Sequence, residues 1–204
     1  MSAAGRRVVL ATRNAGKLTE LRRILAHEAP GCEVLGLDDV PPYDEPAETE
    51  PTFEGNALIK ARAALAASGL PALADDSGLC VDALNGMPGV LSARWAGDRD
   101  DDVNNALLLA QLAEVPDDRL GAEFRCAVAL VVPDGDEVVE VGVVRGRLLR
   151  SPHGRGGFGY DPLFVADGQA VSNAELTPVD KDAISHRGRA LRAIVPALVA
   201  VARG

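Results

Sequence analysis

Leu70-Pro71-Ala72-Leu73-Ala74-Asp75-Asp76-Ser77-Gly78-Leu79-Cys80-Val81 sets two adjacent carboxylates, a hydroxyl and a glycine between an apolar run and a second, alternating one. Short apolar runs bounded by turn residues read as buried strands. The stretch therefore predicts one strand ending and turning into another, with the polar residues aimed at a sheet edge or mouth. Asp, Ser and Gly are also the ordinary residues of a turn closed by side-chain to backbone hydrogen bonds. A carboxylate pair at such a place equally suits hydrolysis, where a hard cation is held and a water is deprotonated. The flanking chain has to decide between these readings.

Upstream, Arg6 to Thr12 reads as a strand and Thr12-Arg13-Asn14-Ala15-Gly16-Lys17 as a polar turn. A helix follows, with Leu18, Leu21, Ile24 and Leu25 on its apolar face and Glu20, Arg22 and Arg23 assigned to the other side. The order strand, turn, helix start makes an anion site, because unpaired amides at a helix N-terminus face the turn. Asn14 is equally suited to cap that helix. Cys32 to Leu37 reads as a second strand, and Asp38 to Pro51 as an acidic loop carrying Asp44, Glu45, Glu48 and Glu50. From Thr52, a suitable N-cap, the pattern is helical until Gly69, and Asn56 and Lys60 share a face.

Downstream, Asn85 to Gly89 is a turn cluster and Asp100 to Leu112 a helix. Phe124 to Val132 and Glu137 to Arg147 are β-rich runs joined by a hairpin signal, Pro133-Asp134-Gly135-Asp136. Four glycines in the six residues Gly154 to Gly159 let backbone approach a ligand closely, and two of the chain's seven aromatics, Phe158 and Tyr160, sit in the same loop. An aromatic ring there can stack on a purine base or simply pack inward. Leu163-Phe164-Val165 is a further short strand. The last segment, from Asp180, runs into a terminal helix interrupted or restarted at Pro196, with Ser185 as its N-cap and His186 and Arg187 in its first turn. Cations are disfavoured at that end by the helix dipole, which points to an anionic or acceptor ligand nearby.

Composition narrows the partners. The chain has 204 residues, is 47% hydrophobic and carries a net charge of −9, enough for one domain with a proper core and unsuited to nucleic acid or an anionic membrane, which require a basic face. Cys32, Cys80 and Cys126 show neither a disulfide framework nor a zinc pattern, which together with the absence of a signal or spanning segment leads to the expectation of a cytoplasmic protein. Only three of the 21 basic residues are lysine: Lys17, Lys60 and Lys181. A compact ammonium acts as a point charge for phosphate oxygens, so these survivors are read as places where the wider guanidinium would not fit.

Taken in order, Thr12-x-Asn14-x-x-Lys17, Asn56-Ala57-x-x-Lys60-Ala61, Asp75-Asp76-Ser77-Gly78, Gly157-Phe158-Gly159-Tyr160-Asp161-Pro162 and Ser185-His186-Arg187-Gly188 make the sequence resemble the inosine triphosphate pyrophosphatase family, from about residue 7 to residue 192. The resemblance implies an α/β fold: a long mixed β-sheet shared by two lobes of one domain (1–204), helices packed on it, a substrate cleft between the lobes, and a homodimer. It implies Mg²⁺-dependent hydrolysis of non-standard purine triphosphates (ITP, dITP, XTP) to monophosphate and pyrophosphate. It assigns Thr12, Arg13, Asn14, Ala15, Gly16, Lys17 and Lys60 to the phosphates, and Asp76 to catalysis and the metal with Ser77 beside it. Glu48 becomes a second metal carboxylate. Phe158, Gly159, Tyr160 and Asp161 surround the base, while Lys181, His186 and Arg187 serve phosphate and base. Arg187, a permanent donor, suits the 6-oxo acceptor of those purines. Gly55 departs from the family pattern, in which an acidic residue often precedes the asparagine. Two other readings keep most of these motifs: a pyrophosphatase for other modified nucleotides, and a non-hydrolytic nucleotide sensor.

Overall fold

A computed structural model describes residues 6–133 and 135–201. In chain order the elements are β1 (Arg6–Leu10), α1 (Ala15–Glu28), β2 (Cys32–Leu35), α2 (Phe53–Ser68), β3 (Ala72–Val81) and α3 (Asp101–Gln111). They continue with β4 (Gly121–Val131), β5 (Glu137–Leu148), β6 (Phe164–Ala166), α4 (Pro178–Ile184) and α5 (His186–Val201). The strands form one six-stranded sheet in the order β2-β1-β3-β4-β5-β6. β1 is parallel to β2 and to β3, whereas β5 is antiparallel to β6, so this is the mixed α/β sheet the sequence leads one to expect. Asp134, in the expected hairpin turn, lies outside the described residues. Among the described residues no helix is long and apolar enough to cross a membrane.

The chain divides into two compact units, the first made of the residues up to Asp76, Cys126–Gly142 and the residues from Arg187 onward, the second of Ser77–Arg125 and Val143–His186. The first unit's core joins Val8 and Leu10 of β1, Leu21, Ile24 and Leu25 of α1, Cys126, Val128 and Leu130 of β4, and Leu191, Ile194 and Leu198 of α5. The apolar spacing of α1 and α5 puts one stripe of each helix into this core. The second unit packs Leu79 and Val81, Leu108 and Leu112, Phe124, Leu148, Leu163 and Phe164. There Phe124 and Phe164 meet edge to face, with ring centroids 4.8 Å apart.

Three expectations need correction. Leu70 to Val81 is not two strands with a polar turn between them, because β3 runs unbroken from Ala72 to Val81. The turn-forming residue types are tolerated in the strand because each carboxylate finds buried cationic partners and Gly78 supplies space. A Cβ at Gly78 would stand 2.3 Å from the Gly89 carbonyl oxygen and 2.4 Å from Ser92 Oγ. Glu20 does not lie on the outer side of α1 with Arg22 and Arg23; it is buried, 3% exposed. Pro196 neither interrupts nor restarts the terminal helix but sits inside α5. Burial of Ile194 and Leu198 on either side of it outweighs the lost backbone hydrogen bond. The segment before α5 forms a separate short helix, α4, capped by Thr177, whose hydroxyl accepts from the Asp180 N–H.

Candidate active site

In the first unit the site is built from three elements. β1 ends at Leu10 and the turn at residues 12–14 leads into α1. Thr12 Oγ1 accepts from the Asn14 N–H at 3.3 Å, and Asn14 Oδ1 accepts from the Lys17 N–H at 2.9 Å, so Asn14 is the helix cap. The cap leaves the first-turn amides of Ala15 and Gly16 exposed beside it, so capping and anion binding are compatible. Arg13 faces the acidic loop, its Nε 3.3 Å from Glu45.

β3 then separates the two adjacent carboxylates, since successive strand residues point to opposite faces. Asp75 is completely buried and receives Lys17 Nζ at 3.0 Å and Arg187 Nε at 3.3 Å, both on Oδ2. Arg187, 2% exposed, also donates to Glu20 Oε2 at 2.6 Å. Burial alone would push the Asp75 carboxyl up, but the charges of Lys17, Arg187 and Lys60 overcome it and hold it well below the usual carboxylate range. Behind Asp75 lies Cys126, whose thiol is pushed far up by burial and by the Asp75 charge. Such a thiol is a packing group and no nucleophile.

Asp76 faces α2. Thr52 caps that helix and Gly69 ends it in the left-handed conformation, as the sequence predicts. Asn56 and Lys60, one turn apart, hold one oxygen each of Asp76: Asn56 Nδ2 donates to Oδ2 at 3.2 Å and Lys60 Nζ to Oδ1 at 3.3 Å. Lys60 also donates to Glu48 Oε1 at 3.0 Å, and Asn56 Oδ1 accepts from the Glu50 N–H, which ties the acidic loop to the helix. Gly55 is required by that loop, since a Cβ there would meet Glu50 Cβ at 2.6 Å. Burial raises the Asp76 carboxyl; Lys60 and Lys17 undo part of the rise, and Glu48 and Asp75 add to it. Burial works against the Lys60 ammonium, but Asp76, Asp75 and Glu48 prevail and keep it charged.

These residues fit a magnesium ion of one particular kind. Among the described residues no group of three or more His, Cys, Asp and Glu is arranged as a cage. Two carboxylates, Asp76 and Glu48, nevertheless converge on the single Lys60 ammonium. Mg²⁺ characteristically takes one or two protein carboxylates and completes its shell with water and substrate phosphate. Hard oxygen donors with net negative charge at one point meet that need.

In the second unit the Gly154 to Asp161 loop is organised by Asp161, which is 3% exposed. Its Oδ2 accepts from the Phe158 N–H at 2.9 Å and from Lys181 Nζ at 2.6 Å, and its Oδ1 from Asn173 Nδ2 at 3.2 Å. Lys181 Nζ stands 4.9 Å from the centroid of the half-buried Phe158 ring, a cation–π contact that orients ring and ammonium together. Tyr160 is buried and its hydroxyl donates to the Ser92 carbonyl at 3.0 Å, so it supports the loop from within. His186 is 5% exposed and stacks on Phe124 at 4.8 Å. Ser77, next to Asp76 along β3, is half-buried.

The loop depends on Gly157. Its φ is +71°, and a Cβ there would lie 2.2 Å from Asp161 Oδ2. Gly157→Ala is therefore expected to lower stability by about 1–3 kcal/mol, read as a drop of several degrees in Tm. An unchanged Tm would contradict the assigned loop geometry.

The expected phosphate and metal residues Lys17, Lys60, Asp76 and Glu48 are thus joined in one charged network, and Phe158, Asp161 and Lys181 in another. The ion-pair partners described for Arg187 are Glu20 and Asp75. Sequence reasoning missed Glu20 and Asn173. A carboxylate three residues after Lys17, and so on the same helical face, was the available signal for Glu20.

Known proteins resemble the whole chain. The model of the Ham1 family matches residues 8–197. A protein of Nocardia farcinica named dITP/XTP pyrophosphatase is 65% identical over 198 residues, 96% of each chain. The crystal structure of a nucleoside-triphosphatase / dITP/XTP pyrophosphatase from Mycobacterium abscessus is 56% identical and superposes with a TM-score of 0.76, covering 93% of this chain and 99% of that one. The Ham1 protein of Staphylococcus aureus, 36% identical, gives a TM-score of 0.84 over 96% and 99% of the two chains. The resemblance read from five motifs is borne out, and the chain belongs to the Ham1 family.

Proposed function

We propose that this protein hydrolyses non-standard purine nucleoside triphosphates, dITP, ITP and XTP, to the monophosphate and pyrophosphate. The observation that carries the reading is the buried Lys60 ammonium shared by Asp76 and Glu48, beside a helix start whose first-turn amides and Lys17 favour phosphate. Lys17, Lys60 and the turn from Thr12 to Gly16 bind and align the phosphates, supplying the charge and orientation on which phosphoryl transfer depends. Asp76 accepts a proton from the attacking water or orients it by a hydrogen bond. Asp76 and Glu48 would hold Mg²⁺, which supplies neutralisation of phosphate charge when bound. In the second unit, Phe158, with Lys181 and Asp161 fixing it, receives the purine, and His186 adds a polar edge. Occurrence as a cytoplasmic homodimer belongs to the same proposal.

The family membership favours this reading over a sensor or a pyrophosphatase for unrelated modified nucleotides. Steady-state kinetics with Mg²⁺ on dITP, XTP, ITP, GTP and ATP test it. The expected result is kcat/KM for dITP and XTP at least about 10² above that for ATP, as a site that hydrogen-bonds a 6-oxo group discriminates against a 6-amino one. Equal values for ATP and dITP would overturn the substrate assignment. Lys60→Arg conserves charge but brings a planar head into a site that is only 8% exposed. It is expected to lower kcat/KM by about 10-fold or more, because a head displaced by about 1 Å can cost up to 10²-fold. Wild-type kinetics in this variant would remove Lys60 from the phosphate site.

A further inference from the structure

Asp101 and Asn105 lie one turn apart in α3 and hold both sides of a single residue in the loop assigned to the base. The Gly159 N–H donates to Asp101 Oδ2 at 2.6 Å, and the Gly159 carbonyl accepts from Asn105 Nδ2 at 3.0 Å. Gly159 itself has φ of +63° and joins Phe158 to Tyr160. Neither α3 residue caps the helix. The cap is Asp100, whose Oδ1 accepts from the Asp102 and Val103 amides. Asn105 is 5% exposed, and its Oδ1 is buried without a hydrogen bond. Burying an amide with one end unsatisfied costs about 1–3 kcal/mol, so packing alone does not account for an asparagine there.

We propose that Asp101 and Asn105 are positioning residues that clamp the Gly159 peptide. Through the preceding residue they set the Phe158 ring and its N–H, and with them the enzyme's preference among purine bases. The inference rests on the reading of residues 158–161 as the base loop. A clamp of this kind acts on KM and on base preference and leaves the phosphate chemistry in the first unit untouched. Its two halves are also chemically distinguishable. An asparagine at 101 can still accept from the Gly159 amide through its carbonyl oxygen. An aspartate at 105 sets an acceptor against the Gly159 carbonyl and repels it.

The test compares wild type with D101A, D101N, N105A and N105D. It measures kcat and KM for dITP and ATP, Tm, and calorimetric binding of inosine monophosphate, which needs no turnover. D101A and N105A are expected to raise KM for dITP about 10-fold and to narrow the dITP to ATP preference by a similar factor, with kcat within about 3-fold, since a small misplacement of a positioned group is costly. D101N should remain within about 3-fold of wild type, and N105D should be worse than N105A. If dITP and ATP are affected equally, or if KM stays unchanged while only Tm falls, the residues are structural and the proposal is overturned. Should wild type release pyrophosphate from no purine triphosphate, the reaction assignment fails separately. The clamp is then judged on inosine monophosphate: weaker binding in D101A restored in D101N supports it, and equal or absent binding overturns it.

Discussion

Asp76→Asn is expected to lower kcat for dITP by about 10³-fold or more while leaving the protein folded. The activity loss follows from charge. An amide can neither take a proton from water nor hold Mg²⁺ as a carboxylate does, and removal of a general base or a central electrostatic group typically costs 10²–10⁴-fold. The stability half follows from the direction of the Asp76 shift. Burial raises its carboxyl in the folded protein, with Lys60 and Lys17 compensating only in part. A group that binds its proton more tightly folded than unfolded makes ionisation at neutral pH a cost to folding. The asparagine removes that cost, keeps the volume and can still accept from Asn56 Nδ2 through its carbonyl oxygen; Lys60 loses one carboxylate but keeps Glu48. Thermal melts and saturating-Mg²⁺ kinetics on one preparation check both halves. Activity within tenfold of wild type would refute the catalytic assignment, and a markedly lower Tm would show that Asp76 holds the fold together.

The second large effect is on folding. Arg187→Leu is expected to destabilise the protein by about 3–5 kcal/mol at pH 7, because it strips a buried guanidinium from Glu20 and Asp75 and leaves carboxylate charge in the core. The effect has a pH signature. Asp75 is held below its ordinary value, so its ionised form contributes stability above about pH 4, and that contribution is lost as pH falls through the depressed folded value. The gap between variant and wild type should therefore be full at pH 6–7 and shrink progressively below about pH 4. Denaturant unfolding at several pH values measures it. A variant of wild-type stability with lost preference for dITP over ATP would instead make Arg187 a reader of the base.

The difference between adjacent Asp75 and Asp76 shows what sequence could and could not give. Hydrophobic period made most of the strands and α1, α2 and α3 legible, and capping residues placed the starts of α1 and α2 at Asn14 and Thr52. The chemistry-bearing residues were legible as motifs because phosphate and metal sites need lysine, carboxylate and glycine in fixed order. Face was not legible. Local turn chemistry in Asp75 to Gly78 argued for a bend, whereas tertiary partners from α1, α2 and α5 keep the strand straight and divide its carboxylates between the core and the site. Glu20 was misplaced for the same reason: a charged residue is read as solvated unless its buried partner is known, and Arg187 lies 167 residues away. The resemblance places Tyr160 and Asp161 around the base, and their hydrogen bonds in the structure go to Ser92, Phe158, Asn173 and Lys181. Contacts between residues as far apart in the chain as Tyr160 and Ser92 carry no signature in composition or spacing.

In the proposed reaction the Asp76, Glu48 and Lys60 cluster directs water to the α-phosphorus of a purine triphosphate. Hydrolysis of dITP in ¹⁸O-labelled water, followed by mass analysis of the products, tests it most directly. The expected products are deoxyinosine monophosphate carrying the label and unlabelled pyrophosphate. Labelled orthophosphate with the nucleoside diphosphate as first products, or label found in pyrophosphate, would contradict it.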